Sequence, residues 1–255
     1  MKLTILGCGG SAGVPLIGCD CGVCHSDNPK NIRSRASVLF ETSEGARILV
    51  DSSPDLRMQA LQAGISTIDA LILTHAHADH CHGLDDVRSF NFHKNAAIDL
   101  YADAPTMTEV QQRFEYIFRE HKHAFGWYKP EFTCHVVEGG SGEGLPYNIT
   151  LFPQIHGRIE TLGVRIGDMA YSTDVNHLSE AAFNALEGVR VWVVDCLRTL
   201  PAPSHAHLEL TLSWIERVKP ERAILTHMSH EFDYDVLNAA LPKGVEMAFD
   251  GMEIV

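Results

Sequence analysis

The chain has 255 residues, 45% of them hydrophobic and 21% charged, with a formal net charge of −13 at pH 7. That composition supports a large buried core in one domain over residues 1–255. The charge disfavours a nucleic-acid partner, since counterion release needs a cationic surface, but leaves a small anionic substrate open. No apolar run approaches the roughly 18 residues of a membrane span, and the start, MKLTILGCGG, is too short and glycine-rich for a signal peptide. A cytoplasmic setting with reduced thiols follows as the expectation.

In chain order, KLTILG (2–7) reads as a buried strand. GCDCGVCH (18–25) then sets Cys19, Cys21 and Cys24 within six residues. Three thiolates at that spacing can reach one tetrahedral zinc, although a disulfide, a redox pair and free structural cysteines are alternatives that the spacing leaves standing. Cys8, Cys134 and Cys196 read as small core residues. Further strands are expected at RASVLFET (35–42), RILVDS (47–52), ALILTH (70–75), 98–102, VRVWVVDC (189–196) and RAILTH (222–227). Most end in Asp, His or Ser, and strand ends are where layered sheets present side chains to a cleft. Helical spacing marks 53–64, 106–121, 179–188 and 208–218, while 138–146 reads as a loop. Strands and helices alternate in both halves, the pattern of an α/β fold.

The segment LTHAHADHCHG places His75, His77, Asp79 and His80 directly after a strand. Four hard or borderline ligands within six residues can organise divalent ions, and Cys81 and His82 beside them read as support. The pattern resembles the metallo-β-lactamase superfamily, whose later His, strand-end Asp and final His are matched in order by His156, Asp174 and His227. The resemblance covers essentially the whole chain. It implies a four-layer αβ/βα sandwich of two mixed sheets flanked by helices. It also implies one metal held by His75, His77 and His156, a second by Asp79, His80 and His227, and Asp174 bridging both. Two divalent ions, Mn or Zn, would supply a hydroxide near neutral pH and stabilise charge on phosphoryl or carbonyl oxygens.

GGSAGVPLIGCDCGVC, THAHADHCHGL and LTHMSHEFDY together resemble the PhnP family, phosphodiesterases that open phosphoribosyl cyclic phosphate in phosphonate catabolism. In this superfamily the first and last parts of the chain pack together, so His230 is expected to complete a structural Cys3His zinc site with the three cysteines. VDCLRTLPAPSHAHLEL matches the family's loop with an assisting histidine, which makes His205 the expected general acid and His207 its fallback or a helix cap. Catalysis is expected to rest on His205 and Asp79. Residues 51–57 depart from the family's Asp-Ala-Gly; Ser52 and Arg57 there are candidate substrate contacts together with His207. The basic stretch 113–129, with Arg113, Arg119, His121, Lys122, His123 and Lys129, is a candidate lid over a distal phosphate. A cyclic-phosphate phosphodiesterase acting on a small phosphorylated partner is the expected function, and the chain could pair as a homodimer. An RNase Z-like tRNA 3′ endonuclease and a PqqB-like accessory protein are the competing readings.

Overall fold

The computed structural model describes residues 1–119, 129–137 and 145–255. Seven strands form one sheet: β1 (Lys2–Gly7), β2 (Ser37–Glu41), β3 (Arg47–Val50), β4 (Ala70–Ile72), β5 (Ile98–Asp103), β6 (Phe132–Val137) and β13 (Glu253–Ile254), in the order β13-β1-β2-β3-β4-β5-β6. Six form the other: β7 (Ile149–His156), β8 (Ile159–Ile166), β9 (Met169–Ser172), β10 (Val191–Asp195), β11 (Arg222–Thr226) and β12 (Val245–Met247), in the order β12-β11-β10-β9-β8-β7. Both are mixed. β3 to β6 run parallel, as do β9 to β12, while β1–β2–β3 and β7–β8–β9 are antiparallel. The expected sandwich of two mixed sheets flanked by helices is the observed fold.

The two-residue period of the strands assigns each side chain to a layer. In β3, Ile48 and Val50 join the core shared with the second sheet, where Leu151, Val164 and Trp192 also lie. Leu49 between them points the other way, into a second buried cluster with Leu56, Ala60, Phe90, Met107 and Val110. Those five are carried by α1 (Leu56–Gln62), the α3 helix (Arg88–Lys94) and α4 (Ala104–Arg113), which therefore cover the outer face of the first sheet. Ala182 of α6 (Glu180–Ala185) and Trp214 of α7 (Leu208–Val218) pack against the second sheet. Two short helices, α2 (Ala78–Cys81) and α5 (Glu115–Phe118), and a C-terminal α8 (Tyr234–Ala240) complete the set among the described residues.

The helix expected over 106–121 is divided. Backbone at Phe114 (φ −114°, ψ 39°) leaves the helical region and separates α4 from α5, and residues from 120 on lie outside the described residues. The helix expected at 53–64 starts later, with Asp55 at its N-cap, and Gly64 turns left-handed (φ +66°) just beyond its end. Pro153 sits in β7, the outer strand of its sheet, where a residue without an N–H is tolerated. Cys8 and Cys196 are buried as expected, whereas Cys134 is exposed on β6, the outer strand of the other sheet. No helix among the described residues is long and apolar enough to cross a membrane.

Candidate metal centre

Parallel strands end on the same edge of a sheet, and here that edge collects the polar residues. Asp51 follows β3, His75 and His77 follow β4, Asp174 follows β9, Asp195 ends β10 and His227 follows β11, while His156 ends β7. Asp51, Asp174 and His227 hold positive φ (62°, 48° and 56°). Non-glycine residues in that region cost about 1–3 kcal/mol each and persist only where the surrounding contacts fix them.

The sequence-predicted set converges. One donor atom each from His75, His77, His156 and Asp174 lie within 4.8 Å of one another, and Asp79, His80 and His227 form a second such group. Asp174 stands between them with its two oxygens divided: Oδ1 is 3.1 Å from Nε2 of both His80 and His227, while Oδ2 is 3.5 Å from Nε2 of His156 and 3.7 Å from that of His75. Asp79 Oδ2 adds contacts of 3.3 Å to His80 and 3.5 Å to His227. His75, His80, His156, Asp174 and His227 are buried, whereas His77 is exposed and marks the open side.

The rings are oriented from behind. Asp51 accepts from Nδ1 of His80 at 2.7 Å, and from the backbone N–H and hydroxyl of Thr74 at 2.8 and 2.9 Å. With its own proton given to Asp51, the Thr74 hydroxyl accepts from His75 Nδ1 at 3.0 Å. His156 Nδ1 donates to the Ser204 carbonyl at 2.6 Å. Each bond fixes the tautomer in which Nε2 carries a lone pair toward the cluster. Nε2 of His75, His80 and His227 are buried without a hydrogen-bond partner. Buried polar atoms are normally satisfied, and three converging imidazole nitrogens beside two carboxylates fit a divalent cation. Burial opposes ionisation of Asp174, yet positive charge at His227 and His80, carried by their own protons when no cation is bound, outweighs it and holds its carboxyl well below the usual range.

His205 lies at the same place, half-buried. Its Nδ1 donates to Asp195 Oδ2 at 3.0 Å, its Nε2 is 3.8 Å from Asp174 Oδ2, and its ring stacks on that of His227 at 4.8 Å. Asp195 Oδ2 also accepts the Val175 N–H at 3.0 Å, so one buried carboxylate positions both His205 and the backbone beside Asp174. Asp51 and Asp195 were not among the expected site residues. Both terminate apolar buried strands, RILVDS and VRVWVVDC, which was the available signal.

Other expectations are corrected. Ser52 is fully buried beneath the metal loop, its N–H bonded to the His80 carbonyl at 2.8 Å, which removes it from contact with substrate. Arg57 is exposed on α1 and lines an outer cleft with Asp86, Arg88 and His93, away from every metal-type ligand. His207 caps α7 through its backbone, without a side-chain capping bond. Within the basic stretch, Arg113 bonds the Ala76 carbonyl between His75 and His77, Lys129 bonds the Ile117 carbonyl at 2.6 Å, and Arg119 pairs with Glu115. These three cations serve the chain itself, and His121, Lys122 and His123 lie outside the described residues. Cys81 is buried with its thiol toward the Ala76 carbonyl at 3.4 Å, and exposed His82 packs edge-on to Phe114.

Gly83 seats the metal loop. Its N–H donates to the Ser52 carbonyl at 2.8 Å, and a Cβ there would fall 2.1 Å from the Ser53 carbonyl oxygen. A Gly83→Ala protein is expected to lose about 1–3 kcal/mol of stability through overpacking and to retain less active-site metal. Calorimetry and elemental analysis check this; unchanged Tm and metal content would overturn it.

The second cysteine-centred group also assembles. Cys19, Cys21, Cys24 and His230 place their donor atoms within 4.8 Å of one another, with His230 Nδ1 3.5 Å from Cys19 Sγ and 3.4 Å from Cys21 Sγ. Tetrahedral zinc with ordinary Zn–S and Zn–N bonds requires a sulfur–nitrogen separation of roughly 3.5 Å. The Cys24 N–H and the His230 ring draw the Cys21 thiol down to about 6, into the range where a thiolate is available to a cation. The joint to the C-terminal segment does not depend on this group alone. Buried Arg33 donates to the carbonyls of Ser229 (2.9 Å) and Phe232 (2.6 Å), and Asn31 donates to Asp233 at 2.8 Å.

Two mixed sheets with helices outside them, and histidines and aspartates gathered where the strands end, define a metallo-β-lactamase fold with a candidate two-ion centre at the strand ends. The family model described as the beta-lactamase superfamily domain matches residues 46–228. The crystal structure of a diphosphatase from the PhnP family superposes with a TM-score of 0.90 at 37% identity, covering 100% of this chain and 97% of that one. Zn(2+)-bound PqqB from Methylobacterium extorquens shares the fold, with a TM-score of 0.78 at 18% identity over 100% of both chains. An octanoyltransferase of Porphyromonas gingivalis is 34% identical over 257 residues, 100% of this chain and 51% of that protein. The chain thus spans about half the length of that relative, whose name describes the longer protein. The chain belongs to the PhnP family of the metallo-β-lactamase superfamily.

Proposed function

We propose that the chain is a phosphodiesterase that opens a small cyclic phosphate. The observation that supports this reading best is the division of the Asp174 oxygens, Oδ1 toward His80 and His227 and Oδ2 toward His75 and His156. His75, His77 and His156 would hold one divalent ion and Asp79, His80 and His227 a second, with Asp174 shared. When bound, such ions supply a hydroxide near neutral pH and Lewis acidity toward phosphoryl oxygens. The chain contributes proton handling. Asp195 takes the Nδ1 proton of His205 as a hydrogen bond and stabilises the imidazolium, whose Nε2–H is then the donor to the departing ribose oxygen. Asp195 is a positioning residue in this scheme and His205 the catalytic one.

The 37% identity to a diphosphatase favours a second reading, in which the scissile bond is a phosphoanhydride. Mn-loaded full-length protein assayed on bis-p-nitrophenyl phosphate, phosphoribosyl 1,2-cyclic phosphate and a dinucleotide pyrophosphate separates the two. Preferred turnover of the cyclic ester supports the first, turnover of the pyrophosphate alone replaces it with the second, and no turnover of any overturns both.

Cys19, Cys21, Cys24 and His230 are proposed to hold a structural zinc. Cys21→Ser is expected to lose one zinc per chain with a lowered Tm, yet to remain folded because the Arg33 and Asn31 contacts persist. Unchanged metal content in that variant would show that the group holds no ion.

A further inference from the structure

A cleft of about 570 Å³ lies between α1 and α3 on the outer face of the first sheet, within the size range of small-molecule sites. The helical repeat explains its walls. Side chains four residues apart share a face, so α1 turns Leu56 and Ala60 inward and Arg57 and Leu61 toward the rim, while α3 sets Ser89 and His93 opposite. Leu56, Ala60 and Phe90 belong to the buried cluster beneath and form the floor, with Ile65 packed at one end. The wall at 84–87 is anchored, because the Asp86 N–H donates to the Gly83 carbonyl at 3.0 Å and the Gly83 N–H to that of Ser52 at 2.8 Å.

The rim is cationic in a chain that holds 20 Lys and Arg against 33 Asp and Glu. Arg57, Arg88 and His93 line it together with a single carboxylate, Asp86. Neighbouring Asp85 is already engaged, one oxygen accepting the Tyr116 hydroxyl at 2.6 Å and the other lying 3.5 Å from Arg88. Arg57 forms no ion pair among the described residues, its polar contact being Met58 Sδ at 3.5 Å, and the Asp86 carboxylate accepts no hydrogen bond among them. Burial and the Asp85 charge push the Asp86 carboxyl up, and Arg88 and Arg57 draw it part of the way back, which places both guanidiniums near that carboxylate. An apolar floor, two guanidiniums and one unbonded carboxylate fit three parts of one ligand. A flat ring lies on apolar side chains, a phosphate meets arginines as a bidentate acceptor, and a carboxylate accepts from a sugar hydroxyl. A fatty acid would offer Asp86 no donor, and inorganic phosphate would leave the floor uncovered.

We propose that this outer cleft binds a nucleoside monophosphate, with the base on the Leu56 and Phe90 floor, a ribose hydroxyl on Asp86 and the phosphate between Arg57, Arg88 and His93. The cleft shares no residue with the metal centre, so the proposal is independent of what that centre hydrolyses. Calorimetric titration with adenosine 5′-monophosphate, adenosine and inorganic phosphate tests it, on the full-length wild type, Arg57→Met, Ser89→Trp and Asp174→Asn proteins. Arg57 and Ser89 are both exposed, so the first change removes charge and the second fills the cleft without entering the core. The wild type is expected to bind the nucleotide about 10-fold or more tightly than adenosine or phosphate. Affinity should fall about 10-fold or more in Arg57→Met, the loss of a charge-assisted phosphate contact, and vanish in Ser89→Trp. Asp174→Asn should bind the nucleotide as the wild type does, because its lesion is confined to the metal centre. Binding lost in Asp174→Asn but kept in the other two variants would place the nucleotide at the metals and overturn the proposal. No nucleotide binding, or equal affinity for the nucleotide and either of its parts, would overturn it as well.

Discussion

Asp174→Asn is expected to lower hydrolysis by at least 10³-fold and to empty the active-site metal positions while leaving the cysteine group loaded. Asparagine is the informative replacement, because it tolerates the left-handed backbone that Asp174 occupies at φ 48° and so removes charge without adding strain. What is lost is the counter-charge to five imidazoles. Oδ1 serves His80 and His227, and Oδ2 faces His75, His156 and His205 at 3.5 to 3.8 Å. Removing one partner from a buried ionic network costs about 3–5 kcal/mol, since the others are left uncompensated. Elemental analysis together with phosphodiester turnover checks this. A metal-loaded, fully active Asp174→Asn protein would end the reading of Asp174 as a shared ligand.

His205→Gln is expected to cut kcat by about 10²- to 10⁴-fold, the range for loss of a general acid, with active-site metal retained. The leaving group distinguishes this role from simple structural damage. A p-nitrophenolate departs without protonation, so the defect should shrink on bis-p-nitrophenyl phosphate and be largest for a ribose alkoxide. Asp195→Asn should reproduce the pattern in weaker form and also disturb Asp174, because the same carboxylate oxygen receives the Val175 N–H at 3.0 Å. Complete metal loss in His205→Gln would instead make His205 a ligand, a geometry its grouping with Asp174 and His227 allows.

Much of the site could be read from residue order because ligands at strand ends leave a local trace: an apolar run, then His, Asp or Ser. That trace marks His75, His77 and His227, whereas His156 and Asp174 stand out only through the order of ligands that the resemblance to the superfamily implies. The residues that orient them leave a fainter trace. Asp51 acts on His80, 29 residues away, and Asp195 on His205 across the β10–α7 loop; neither contact has a spacing that a sequence displays. The β7–β8 hairpin that carries His156 was also poorly visible. Thr150, Gln154, Glu160 and Arg165 interrupt its apolar runs, which are therefore shorter and weaker than those of β10 or β11 in the same sheet. Ser52 illustrates the opposite failure. A serine beside an aspartate suggests a phosphate contact, but a tight bond from its backbone to the His80 carbonyl pulls it under the loop.

The pairing of β1 bears on the order in which the molecule is made. Leu3 and Thr4 lie opposite Ile254 and Glu253, the Gly10 N–H reaches the Met228 carbonyl at 3.2 Å, and Cys8 donates to Asp250. At roughly 5–20 residues per second of synthesis, the first strand waits on the order of tens of seconds for its outer neighbour. The loop bearing His227 acquires its support only at the same late moment. Residues 75–80 meanwhile emerge early and unaccompanied, able to meet ions but not to enclose them. Enclosure of an ion by both ligand groups therefore waits on the segment that carries His227 and on its partners at 250–254, so this centre is not a nucleus on which residues 1–80 first condense.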